Sequence, residues 1–157
     1  MDTIEYLSPC GILHLAAAGG KLIMCDWADS SRHRGNLERL ADRKMDYDLI
    51  SCAKRQLDEY FSGRRHRFDI AVSPAGTPFR RKVWECLAEI PFGETLTYGE
   101  LAGIVGMPDG ARAVAGAVAA NPVSIFIPCH RIIGAGGGLT GYAGGMAAKR
   151  FLLELEK

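Results

Sequence analysis

Around Ser73-Pro74-Ala75-Gly76 the hydrophobic pattern of this 157-residue chain changes from the short apolar runs of strands to the longer periodicity of helices. No single pattern spans the change, so the fold joins two differently built parts. Upstream, Ile12 to Ala17 and Lys21 to Trp27 flank a Gly19-Gly20 pair and read as a β-hairpin, with Phe68 to Val72 as a third strand. Tyr47 to Phe61 carries apolar residues at 49, 50, 53, 57, 60 and 61, the spacing of an amphipathic helix that Gly63 closes. Arg32 to Lys44 is charged and weakly periodic, a loop with some helix. Nothing in this first part points to chemistry by itself.

Downstream the signals are helical. Thr77-Pro78 starts a helix, with Thr as N-cap and Pro at the first helical position, and Phe79, Val83, Trp84, Leu87 and Ile90 lie along one face before Pro91-Phe92-Gly93 ends it. Thr97 with Glu100 three residues on makes a capping box for a short helix that reaches Val105 and stops at Gly106. Asp109 can cap a second short helix, Gly110 to Ala120, built almost wholly of alanine, glycine and valine with Arg112 as its only charge. Two short helices joined by a tight glycine-containing turn resemble a helix-turn-helix, whose second helix meets DNA by its N-terminal part. The same composition also suits a packing helix with Arg112 solvated.

The chemistry concentrates in Ile127-Pro128-Cys129-His130-Arg131, which sets a nucleophile beside a base. Val123, Ile125, Phe126 and Ile127 before it read as a buried strand delivering the thiol to a pocket, and the glycine-rich Gly134 to Gly138 follows. An unperturbed thiol is only roughly 3% thiolate at neutral pH, so a reactive Cys129 needs activation, which His130 can supply. An inert core cysteine is the alternative for a thiol taken alone.

Composition narrows the classes. The cysteines, at 10, 25, 52, 86 and 129, are odd in number and lack CxxC spacing, which disfavours a disulfide framework or zinc ribbon and favours reduced thiols in a cytosol. Cys10, His14, Cys25 and His33 fit no standard metal spacing, so no metal is expected. Met1 to Gly20 lacks the basic start and long apolar segment of a signal peptide, and no stretch approaches a membrane span. Formal charge is +1, with eleven basic against eleven acidic residues up to 78 and eight against seven after it. DNA binding would therefore use a few placed cations and helix N-termini rather than a strongly basic face. No P-loop or strand-borne GxGxxG appears, and no cofactor is expected.

Tyr98-Gly99-Glu100-Leu101-Ala102, Ala111-Arg112-Ala113-Val114, Asn121-Pro122, Ile127-Pro128-Cys129-His130-Arg131 and Leu139-Thr140-Gly141-Tyr142 occur in this order. Their succession resembles the O6-alkylguanine-DNA alkyltransferase family, specifically from Gly76 to Glu156 and loosely before it. The resemblance implies an α+β fold: residues 1–74 as an N-terminal α/β roll, an antiparallel sheet plus helix, and residues 75–157 as a mainly helical, winged helix-turn-helix-like DNA-binding domain. It implies irreversible, stoichiometric transfer of an alkyl group from O6-alkylguanine in duplex DNA to Cys129 after nucleotide flipping, with O4-alkylthymine as a further substrate of such proteins.

By the same resemblance His130 is the base, reaching the sulfur through a water, and Glu156 orients it. Tyr98 helps rotate the nucleotide and donates to a guanine ring nitrogen, and Asn121 ties the helix-turn-helix to the active-site loop. Arg112 fills the gap in the base stack, and Leu101, Ala111 and Ala113 form the apolar surface against the minor groove. Ser124, Ile127, Tyr142 and Ala143 shape the substrate pocket, and Arg131 holds structure. Two departures stand out: Ala143 replaces a serine or glycine of many members, and Ser124 replaces a proline of some, which bears on pocket width. A monomer in the cytoplasm on the nucleoid, or in a nucleus, is expected. Two other classes remain open on the residues alone: a non-catalytic binder of alkylated DNA, which would lack the cysteine, and a cysteine hydrolase using Cys129, His130 and Glu156 with turnover.

Overall fold

The computed structural model describes residues 3–30, 43–139 and 141–157. Most of the charged 32–44 stretch lies outside them. Gly19 and Gly20, both at positive φ (59° and 77°), turn the chain between β2 (Gly11–Ala18) and β3 (Lys21–Trp27), a conformation glycine adopts without steric cost. The hairpin is as expected, with a register shift at Ala16/Ala17. A further strand, β1 (Ile4–Ser8), pairs antiparallel with β2 to complete a β1-β2-β3 meander. β1 buries only Tyr6, so its alternation is too short to stand out in the sequence. β3, by contrast, is buried from Leu22 to Trp27.

Helix α1 (Tyr47–Phe61) covers the sheet with Ile50, Ala53, Gln56, Leu57 and Tyr60, its N-cap being Asp46, whose carboxylate accepts from Leu49 N. The strand expected at Phe68 to Val72 does not form. Only Val72 bridges Leu22, through Leu22 N to Ala71 O and Ser73 N to Leu22 O, both 2.9 Å. The buried Gln56 amide takes the Asp69 N–H at 3.0 Å, and Phe68 turns into an aromatic cluster with Tyr60 and Phe126, so the segment peels from the sheet edge.

After the linker, α2 (Pro78–Ala88) starts at the Thr77 cap and buries Val83, Trp84 and Leu87. β4 (Leu96–Thr97) leads into α3 (Tyr98–Ile104), whose Thr97/Glu100 capping box is present in full. α4 (Ala111–Ala119) is capped by Gly110 without a side-chain bond, so Asp109 does not fill the expected role. Trp84 Nε1 donates to Ala117 O at 2.8 Å and pins α4 to α2. α5 (Met146–Leu155) ends the fold, and β5 (Ile132–Ile133) pairs parallel with β4.

The apolar run 123–127 is a tight reversal rather than a strand. Val123 bridges Cys25 of β3, through Cys25 N to Pro122 O and Ser124 N to Cys25 O. Ile125 then adopts φ +73°, and Phe126 N and Ile127 N fold back onto Ser124 O and Val123 O. A β-branched residue there costs roughly 1–3 kcal/mol, which burial of Ile125, Phe126 and Ile127 offsets. One cluster of buried side chains, from Leu13 and Leu15 through Tyr60 and Trp84 to Val118 and Leu152, runs through both parts of the α+β chain. Among the described residues no helix is long and apolar enough to cross a membrane.

Candidate active site

Cys129 opens a single 3₁₀ turn, Cys129–Arg131, directly after the reversal. The Asn121 side chain shapes that approach, donating from Nδ2 to Ile127 O (2.9 Å) and accepting Val123 N on Oδ1 (3.0 Å). Asn121 is thus a clamp on the loop beneath the thiol. Cys129 is 5% exposed and forms part of a pocket of about 280 Å³ with Tyr98, Val118, Ala119, Asn121, Tyr142 and Ala143. Burial pushes its thiol up, while the polar groups of Asn121 and Ser124 and the charge of Lys149 oppose that rise.

The turn directs His130 inward, where it is wholly buried and its Nε2 lies 2.7 Å from Glu156 Oε2. Arg131 donates Nε to Oε1 (2.8 Å) and a terminal nitrogen to Oε2 (2.9 Å), and caps Ile90 O with the other. Burial alone would push the Glu156 carboxyl up. The bonds from His130, Arg131 and Tyr60 overcome it and hold the group well below the usual carboxylate range. Glu156 is therefore an acceptor, which places the His130 proton on Nε2 and leaves Nδ1 as the free lone pair. Nδ1 has no protein partner among the described residues. Burial, with the charges of Arg131 and Lys149, keeps the imidazole neutral against the pull of Glu156. A neutral base on the residue that follows a thiol held by polar groups can serve to generate a nucleophile on demand.

Tyr98, the first residue of α3, and Tyr142 and Ala143 line the pocket that holds Cys129. Ser124 is fully buried beside the sulfur. Ile127 is a correction: the reversal turns it to the opposite side, where it lines a groove with Val72, Pro74 and Trp84. Leu101 is a second correction, because it is 0% exposed on the inner face of α3 and seats that helix instead of meeting a surface. On α4, Arg112, Ala113, Gly116 and Ala119 are exposed, Ala111 is half-buried, and Ala119 reaches the pocket.

Three contributors were not singled out from the sequence. Tyr60 donates to Glu156 Oε2 at 2.6 Å from 96 residues away. Lys149 is buried with Nζ on Ile132 O, and its place on the buried stripe of α5 with Ala148 and Leu152 was the available hint. Trp27 of β3 packs edge-on against Tyr142 (ring centroids 5.9 Å apart), and a Cβ at Gly144 would lie 2.6 Å from its indole, so only glycine lets the loop come this close.

Fold and site together define an α+β protein whose buried thiol, backed by an imidazole–carboxylate pair, opens onto a pocket beside a helix-turn-helix-like pair, α3 and α4. Residues 4–74 match the model of the 6-O-methylguanine DNA methyltransferase ribonuclease-like domain, and residues 78–157 that of the DNA-binding domain of the same family. The chain is 53% identical over 156 residues to the methylated-DNA–protein-cysteine methyltransferase of Methanosarcina barkeri, covering 99% of this chain and 96% of that one. It is 43% identical over 150 residues to the protein of that name from Mycobacterium bovis, covering 96% and 88%. Its structure is similar to that of Mycobacterium tuberculosis OGT in complex with DNA, with a TM-score of 0.88, 41% identity, and coverage of 100% and 93%. The chain belongs to the 6-O-methylguanine DNA methyltransferase family.

Proposed function

We propose that this protein reverses DNA alkylation directly, moving the alkyl group of O6-alkylguanine onto Cys129 once and irreversibly. The observation that carries this is the Cys129 thiol at the pocket, with the neutral His130 and ionised Glu156 buried behind it. A guanine O6 lies inside the duplex stack, so the nucleotide must be extruded, at a cost of a few kcal/mol. The exposed small-residue face of α4 suits close approach to the minor groove, with Ala111 and Ala113 against it and Arg112 placed to occupy the gap left in the stack. Tyr98, at the pocket edge, suits contact with the rotating nucleotide and a hydrogen bond to a guanine ring nitrogen.

In the reaction the Cys129 proton passes through a bridging water to His130 Nδ1. The sulfur forms a bond to the alkyl carbon, the carbon–O6 bond breaks with its electron pair going to guanine, and the base leaves as an anion that the Tyr98 hydroxyl stabilises. A donor aimed at charge that develops on the leaving group acts chiefly in the transition state. The thioether is a poor leaving group, so each molecule reacts once. Tyr142, Ala143 and the buried Ser124 set the room for the alkyl group.

The division into residues 1–74 and 75–157 is supported by the spans of the two family models. We infer a monomer that acts where the chromosome lies, in the cytoplasm on the nucleoid or in a nucleus. Intact mass after mixing with a methylated duplex tests the reading: one methyl per protein, located on Cys129, is expected, with none on Cys129→Ser, which still binds the duplex. Turnover of excess substrate would overturn it.

A further inference from the structure

Among the described residues, Tyr60 is a buried titratable side chain that the transfer chemistry does not use. Tyr60 is 1% exposed on α1, in the N-terminal part of the chain, yet its hydroxyl ends on the carboxylate at the far C-terminus. Glu156 Oε2 receives three donors: Tyr60 Oη at 2.6 Å, His130 Nε2 at 2.7 Å and an Arg131 terminal nitrogen at 2.9 Å. Oε1 receives Arg131 Nε at 2.8 Å and Gly93 N at 3.4 Å. Tyr60 is the hydroxyl donor of this set, and the one that comes from the other half of the molecule. Its ring sits among Phe61, Phe68 and Phe92, with centroids 5.2, 5.4 and 6.3 Å away, a setting that packing alone would fill with phenylalanine.

We propose that Tyr60 is a positioning residue for alkyl transfer, holding the Glu156 carboxylate in the orientation that directs His130 and, by sharing Oε2 with it, tempering the basicity of the imidazole. The proposal rests on the roles given above to Cys129, His130 and Glu156. Donors on one carboxylate oxygen share its charge, so removing one strengthens the pull on the rest. Burial first, then the Glu156 charge and hydrogen bond, push the phenol far up, so the hydroxyl stays protonated and donates. The other groups facing this cluster are Arg131 of the 3₁₀ turn, Lys149 of α5 and Cys10 of the β1–β2 turn. None of them can take the place of the lost hydroxyl on Oε2, since Arg131 is already bound there and Lys149 is engaged at Ile132 O.

The test uses the full chain. Single-turnover methyl transfer at saturating methylated duplex is measured against pH, and in parallel the rate of Cys129 modification by iodoacetamide without DNA, read by peptide mass. Tyr60→Phe leaves Glu156 pulling harder on the His130 Nε2–H, which favours the imidazolium. The limb on which rate rises with pH then moves to higher pH by roughly half a unit in both assays, and transfer on the acid part of that limb falls about threefold, with the neutral-pH plateau little changed and duplex affinity unchanged. A ring-fluorinated tyrosine at position 60, of nearly the same shape but a stronger donor, moves the limb the other way. Glu156→Gln is the control. If its limb moves while those of Tyr60→Phe and the fluorinated protein superpose on the parent, Tyr60 only packs and the proposal is overturned. If Glu156→Gln also superposes, the His130–Glu156 reading fails and takes the proposal with it. Should Tyr60→Phe not fold, the fluorinated protein decides alone, and an unmoved limb overturns the idea.

Discussion

In the folded chain the Glu156 carboxyl holds its charge because His130, Arg131 and Tyr60 donate to it, whereas unfolded it returns to about 4.3. His130 behaves likewise: burial lowers it when folded, and unfolding restores about 6.5. In both cases the unfolded state binds the extra proton, so stability is full above the unfolded value and is lost as pH falls. Denaturant unfolding across pH should therefore show two descending steps, one starting below about 6.5 from His130 and one below about 4.3 from Glu156. Glu156→Gln should remove the lower step and cost roughly 3–5 kcal/mol at neutral pH, because it leaves the buried Arg131 charge unpaired. An unchanged acid limb in that variant would contradict the assignment. Cys129 and His130 stood out in the sequence as a short motif, whereas Glu156 was singled out only through the family resemblance. Tyr60 and Lys149 were not singled out, since a stripe tyrosine reads as core and a lysine as surface until the fold supplies their distant partners. Leu101 and Ile127 were assigned to the wrong side for a related reason: a motif gives identity, and only backbone direction gives facing.

At the scale of elements, the segments whose ends carry their own chemistry were legible. Thr77-Pro78, the Thr97/Glu100 box and the Gly19-Gly20 turn each satisfy or redirect the backbone locally, so they form where the sequence places them. The segments governed by tertiary partners were not. Phe68 to Val72 has strand composition, but Gln56 takes the Asp69 N–H, and the run at 123–127 bends at Ile125 because β3 anchors Val123 and Ser124. Helix α4 offers a separate test of what its composition is for. Gly116 is exposed mid-helix, and a Cβ there meets nothing within 4 Å. Gly116→Ala should raise stability by about 0.5–1 kcal/mol through helix propensity alone. Gly116→Leu should keep most of that gain yet cut affinity for duplex DNA about tenfold or more, because a bulky side chain holds the helix off the groove. Thermal melting and a duplex titration check the pair. Unaltered DNA affinity in the leucine variant would mean that α4 is a packing helix and that another face binds.

For the whole molecule, the pattern change near Ser73 suggested two parts, and the structure adds how firmly they are joined. Cys25 of β3 pairs with the backbone of Pro122, Val123 and Ser124, Trp27 packs on the active-site loop at Tyr142 and Gly144, and Tyr60 bonds Glu156, so three ties from the first part converge on the site in the second. With a single buried cluster running through both, unfolding of one part would strip apolar cover from the other. The chain should then unfold in one cooperative transition. Its two tryptophans stand one in each part, Trp27 in β3 and Trp84 in α2, both about 2% exposed, and so act as separate reporters. In Trp27→Phe the fluorescence follows the C-terminal part, and in Trp84→Phe the N-terminal part. Each variant will have its own midpoint, since Trp84→Phe also loses the bond to Ala117 O. Within each, fluorescence and far-ultraviolet circular dichroism in urea should give the same midpoint and slope. If the tryptophan left in either variant reports a transition displaced from the dichroism curve, the two parts melt independently, and the ties at Cys25, Trp27 and Tyr60 are too weak to make the N-terminal part a working component of the site.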